Sequence, residues 1–139
     1  MPDVLIYADT FRSPELRHEV PLGVPDPFLY AEVGGVQHIA IGAMEIPRLA
    51  AAGDYELHPS EEFGSDELIA SGITARELRR EIPVRAVKAL GVTKASVPET
   101  FPLWLADRLR ADGVELEIDG ELFDERRRVK NEAELAGIR

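Results

Sequence analysis

The sequence predicts an α/β domain in three layers, with a mixed β-sheet sandwiched between helices. Three observations predict it. Val4-Leu5-Ile6-Tyr7-Ala8 is a short, continuous apolar run of the type expected for a strand buried on both faces. Residues 28–33 and 36–41 flank Gly34-Gly35, a dipeptide that accepts positive φ at both central positions of a two-residue hairpin turn. Strand and helix signals then alternate along the rest of the chain, without internal repeats or low-complexity tracts.

The elements follow in order. The first run should be a central strand. Ser13-Pro14-Glu15 reads as an N-cap with proline at the first helical position, opening a short helix through about His18. The stretch PLGVPDPF, with Pro21, Pro25 and Pro27, then forces an irregular loop, because prolines cannot donate to a sheet. After the hairpin and Gly42, MEIPRLAAAG predicts a short helix ended by Gly53, and Tyr55 to His58 a returning strand cut by Pro59. Residues 66–90 read as a punctuated helical stretch. Ser65 caps a turn that stops at Gly72, Thr74 and Glu77 form a capping box, and Pro83 starts a separate helix closed by Gly91. Ala95 to Pro98 is a short strand and Phe101 to Asp112 a helix with Gly113 just past its end. Val114, Leu116 and Ile118 alternate as a strand, and Asp119-Gly120 turns the chain toward Leu122 and Phe123. Asn131 and Glu134 form a last capping box. No Gly, Asn or Pro closes the helix it would open, which points to a fragment of a longer polypeptide.

Composition limits the function. A chain of 139 residues fits one domain with a real core. No apolar run approaches the ~18 residues that span a bilayer, and the N-terminus lacks the basic segment of a secretory signal, so a cytoplasmic protein without a membrane partner is expected. Without cysteine there is neither disulfide nor thiolate metal site. The net charge of −10 lies wholly in the first half: residues 1–75 hold 13 acids against three bases, and residues 76–139 hold 13 of each. An acidic balance disfavours the phosphate backbone of nucleic acid. The basic cluster Arg126, Arg127, Arg128 and Lys130 sits among Asp124, Glu125, Glu132 and Glu134 and reads as a salt-bridged, solvated segment.

No catalytic constellation emerges from the residues. The G-x-S-x-G, H-E-x-x-H, phosphate-loop and G-x-G-x-x-G patterns are all missing. His18, His38 and His58 lie twenty residues apart, and a metal site would need them to converge from a helix end and two strands. His58 has Glu61 and Glu62 nearby, but Pro59 intervenes and a structural role is the better reading. Asp9 stands where the first strand ends, the end at which open α/β sheets bind ligands, yet Lys94 precedes its strand rather than ending it, so a phosphoacceptor site is not expected. Catalytic and metal-ligating residues are therefore both assigned as none.

Arg127-Arg128-Val129-Lys130-Asn131-Glu132-Ala133-Glu134-Leu135, followed by Ile138-Arg139, resembles the junction segment of the creatinase and Xaa-Pro peptidase family (prolidase and aminopeptidase P), where R-x-x-K-x-x-x-E leads from the N-terminal domain into the catalytic one. The matching positions are Arg127, Lys130 and Glu134. The preceding order of elements is also similar to the family's N-terminal domain. The resemblance implies a creatinase-type N-terminal domain over residues 1–133, with a ribonuclease-H-like motif, and the first helix of an absent pita-bread domain beginning at 134–139. It further implies that catalysis and two divalent metal ions, Mn, Co or Zn, belong to that absent domain, with no cofactor in this chain. The N-terminal domain would then serve oligomerisation, as a homodimer or larger assembly, and shape substrate access. Arg17 and His18 are the candidates for contacts with a neighbouring subunit or the substrate entrance. They lie where family members often carry N-x-x-Y-L-T-G-F and this chain does not. A free-standing α/β binding module, and the N-terminal domain of a creatinase-like C–N hydrolase, are the alternatives.

Overall fold

The computed structural model describes residues 2–138, with side chains described through Val129. The chain runs β1 (Asp3–Ala8), α1 (Pro14–Glu19), β2 (Phe28–Val33), β3 (Val36–Ile41), α2 (Ile46–Ala52), β4 (Glu56–Pro59), α3 (Ser65–Ala70), α4 (Ala75–Ala89), β5 (Lys94–Val97), α5 (Leu103–Ala111), β6 (Glu115–Ile118) and α6 (Gly120–Ile138). The strands form one mixed sheet in the order β4-β3-β2-β1-β5-β6. β2 is antiparallel to both its neighbours, and the remaining pairings are parallel.

Period-two alternation explains why the first run is apolar throughout. Val4 and Ile6 face one layer with Phe28, Tyr30, Ile39, Leu16, Leu49 and Phe123, which places α1, α2 and α6 on that side. Leu5 faces the other layer with Leu29, Ala31, Val84, Val87, Leu105 and Leu109, which places α4 and α5 there. β1 is central, as its sequence predicts. The hairpin closes with Val33 opposite Val36, and Gly34 and Gly35 both at positive φ.

The local chemistry of α1 is also as expected. Ser13 Oγ accepts from the Leu16 N–H at 3.1 Å, and Pro14 occupies the first turn. Thr74 Oγ1 accepts from the Glu77 N–H at 3.1 Å and opens α4. Three readings need correction. Ser65 is not the cap of α3; Gly64, at φ +85°, occupies that position without a side-chain cap. Pro83 does not start a helix but lies buried inside α4. Its ring removes the donor that would serve the Arg79 carbonyl, and burial of Ile82, Pro83, Val84, Ala86 and Val87 against the sheet offsets that loss. Finally, α6 is continuous from Gly120 through Ile138, so no helix begins at Asn131. The start is Asp119, whose Oδ1 accepts from the Leu122 N–H at 3.2 Å. The side chains of Lys130, Asn131, Glu134, Leu135 and Ile138 lie outside the described residues, as does Arg139.

A Cβ at Gly64 would stand 2.7 Å from Arg85 Nη1, the group that donates to the Phe63 carbonyl at 3.1 Å. Gly64→Ala is therefore expected to cost about 1–2 kcal/mol, from left-handed backbone strain plus a displaced hydrogen bond. A urea midpoint measurement checks it. Among the described residues, no helix is long and apolar enough to cross a membrane.

Candidate functional site

The predicted contact residues occupy α1. Arg17 is exposed, whereas His18 is half-buried with Nε2 3.8 Å from Glu19 Oε1. Glu19, the neighbour of His18, belongs to a polar network that binds α6 to the sheet. Arg126 donates from Nη1 and Nη2 to the two oxygens of Glu32, at 2.8 and 3.0 Å, and from Nη1 to Glu19 at 3.3 Å. Tyr30 donates to Glu32 at 3.1 Å and accepts from Gln37 Nε2 at 2.8 Å, while the Tyr55 hydroxyl donates to the Glu19 carbonyl at 2.8 Å. Burial and the nearby Glu19 push the Tyr30 and Tyr55 hydroxyls above the ordinary tyrosine range. The hydrogen bonds that Arg126 donates to Glu32 favour the charged guanidinium and push it above the ordinary arginine range.

For Arg126 this corrects the reading of a salt-bridged, solvated segment, whereas Arg127 is salt-bridged to Asp124 and Arg128 is exposed, as read. The Arg126 side chain is only 18% exposed and pairs with acids on α1 and β2, about a hundred residues away in sequence. Local charge pattern could not reveal partners so distant. Arg127, the first position of the junction motif, meets Asp124 at 2.6 Å and Glu15 of α1 at 3.7 Å. Lys130 and Glu134, the other two positions, are outside the described side chains.

Two of the three histidines do converge. In the parallel β3/β4 pairing, His38 lies opposite Glu56 and Ala40 opposite His58, so the two rings are diagonal neighbours on one face. His38 Nδ1 is 2.9 Å from His58 Nε2, and His58 Nδ1 is 2.6 Å from Glu62 Oε2. Pro59 does not separate His58 from Glu62, because the 3₁₀ turn Ser60–Phe63 folds the acid back over the ring. His18 stays with Glu19 on the opposite face of the sheet. Among the described residues, no group of three His, Cys, Asp or Glu side chains is arranged to hold a metal ion.

The His-His hydrogen bond needs one acceptor nitrogen, so only one ring of the pair can carry a second proton without breaking it. Burial, then the His58 charge, lowers the His38 pKa below its ordinary 6.5, with Glu56 opposing. Because the unfolded state then binds the proton more readily, this histidine contributes stability above about pH 6.5 that is lost as pH falls through the folded value. Urea midpoints between about pH 7.5 and 5 should fall less for His38→Gln than for the wild type.

Asp9 is buried at 6% exposure, and its Oδ1 accepts from the Arg12 N–H at 2.8 Å. It closes the turn after β1. Lys94 is the first residue of β5, at the far end of its strand.

Sequence reasoning missed the cleft beyond the carboxyl ends of β1 and β3. It holds about 830 Å³ between the loop of residues 24–27, residues 42–45 and the first turns of α4. Tyr7 and Trp104 form part of its wall, edge to face with centroids 5.6 Å apart. The Arg80 guanidinium lies 5.1 Å from the Trp104 ring centroid, and Arg76 and Arg79 line the same wall. Tyr7 is raised above the ordinary tyrosine range by burial, against the opposing charge of Arg79. The available signal was the i, i+3, i+4 spacing of Arg76, Arg79 and Arg80, which puts them on one face of a helix. Compared with protein-family models and with curated proteins, the chain matches none, so a functional reading rests on this geometry and on the motifs of the sequence.

Proposed function

We propose that this chain is the non-catalytic N-terminal domain of a metal-dependent Xaa-Pro aminopeptidase or dipeptidase, with a creatinase-type fold, serving oligomerisation and substrate access. The observation that carries the reading is the placement of the junction motif. Arg127 stands on α6 one residue after Arg126, whose bidentate pairing with Glu32 clamps the helix to the sheet. Leu122 and Phe123 pack the same helix into the layer of α1 and α2. A helix of 19 residues extends about 28 Å, so its second half is carried as a rigid arm by its anchored first half. An arm of this kind suits a connector that holds a following domain at a set angle. The mixed sheet with helices on both faces is consistent with the domain class, and the R-x-x-K-x-x-x-E spacing supplies the specific match.

In this reading, hydrolysis before proline and the two divalent metal ions belong to the following domain, because two-metal hydrolysis needs several carboxylates around a shared site. The exposed Arg17 would face a neighbouring subunit's substrate entrance, with His18 positioned beside it. The test is hydrolysis of Xaa-Pro dipeptides by the native full-length polypeptide, with and without a chelator. Cleavage lost on chelation and restored by Mn²⁺ or Co²⁺ is the expected result. A native polypeptide that carries a downstream domain and cleaves no Xaa-Pro bond under any of these metals contradicts the proposal. In an active protein, Arg17→Ala should raise KM for longer peptides and leave kcat on dipeptides unchanged.

A further inference from the structure

We propose that the cleft walled by Tyr7, Trp104, Arg76, Arg79 and Arg80 is a binding site for a small anionic molecule with a planar apolar body and a carboxylate or phosphate group. The inference is independent of whether a catalytic domain follows.

Three observations carry it. The first is size and place. About 830 Å³ lies within the range of small-molecule sites, at the carboxyl ends of strands where open α/β sheets bind their ligands. The second is charge. In a chain of net charge −10, Arg12, Arg48, Arg85, Arg108, Arg126 and Arg127 each meet a carboxylate. Among the described residues Arg76, Arg79 and Arg80 meet none; Arg17, Arg110 and Arg128 meet none either, but the three on α4 share one wall. Of the two acids lining the cleft, Glu45 is engaged by Arg48 at 2.6 Å, which leaves Asp26 as the sole acid to oppose three guanidinium groups. The third is the lining. Phe28, Ile41 and Pro83 join the two aromatic rings, so an apolar body can be enclosed while its anionic end meets the arginines. Guanidinium forks match carboxylate and phosphate oxygens in pairs, and Arg80 already stacks on Trp104, the geometry in which a planar ligand could be held.

Trp104 is the chain's single tryptophan, so its fluorescence reports this cleft alone. The experiment titrates the full chain with phenyl phosphate and benzoate, and with inorganic phosphate and phenol as partial ligands. A saturable Trp104 response to phenyl phosphate or benzoate is expected, at least tenfold tighter than to inorganic phosphate or phenol. Arg79→Gln and Arg76→Gln, both at exposed positions on α4, should each weaken it about tenfold without shifting the melting temperature. Three results overturn the proposal: no saturable response to either aromatic anion up to about 10 mM; a response equal for phenol, which would mark an apolar cleft without anion recognition; or a concentration-dependent dimer that the same arginine substitutions dissolve, which would assign the wall to a self-interface.

Discussion

Replacing Arg126 with alanine is expected to lower the unfolding free energy by about 3–5 kcal/mol, the range found when one member of a buried ion pair is removed. Side-chain exposures are 18% for Arg126, 18% for Glu32 and 12% for Glu19, so water compensates poorly for the lost cation. Two carboxylates would then face each other beside Tyr30, whose hydroxyl bonds to Glu32 and approaches Glu19. The like-charge contact makes the truncation worse than the net worth of the pair. Arg126→Met, similar in length, should cost nearly as much, because the carboxylates still lose their partner. Combining Arg126→Met with Glu32→Leu should recover most of the loss, since replacing both ends of a buried pair by apolar groups is often neutral. Urea unfolding of the three variants checks this. A single-variant loss below about 1 kcal/mol would place the pair in the class of exposed salt bridges.

The second large effect concerns Phe123, 3% exposed and packed with Val4, Ile6, Leu16 and Tyr30 among the side chains of its layer. Phe123→Ala should cost about 3–5 kcal/mol through lost transfer free energy and a cavity that the rigid sheet cannot collapse to fill. The loss should be local in its onset. Hydrogen exchange is expected to accelerate first along α6, while β1 and β2 keep near-global protection until the whole domain opens. Phe123 and Arg126 lie three apart on one helix and both anchor it, so their combined loss should be less than the sum of the two.

The fold was largely legible because its strongest signals are local. A strand apolar on both faces, a Gly-Gly hairpin and a Ser-Pro helix start each state their geometry within a few residues. The errors share one cause, which is that identical local chemistry serves two positions. Proline suits the first turn of a helix and also survives at Pro83, where its neighbours pack on the sheet. Asn131 and Glu134 have capping-box spacing, yet a helix already capped by Asp119 runs through them. The candidate sites were less legible because they depend on distant pairings. The Arg126 network joins residues of α1, β2, β3 and α6, and the His38–His58 contact exists only because β4 returns parallel beside β3. A cleft wall made by one face of α4 and a ring from α5 requires the sheet to bring them together.

Whether α6 is, as we propose, a junction helix leading into a catalytic domain is decided most directly by the intact mass of the protein from its native host. A mass well above the 15.4 kDa of these 139 residues is expected, with carboxylate and histidine metal ligands encoded beyond Arg139. A native mass of 15.4 kDa would contradict it and leave the chain as a binding domain in its own right.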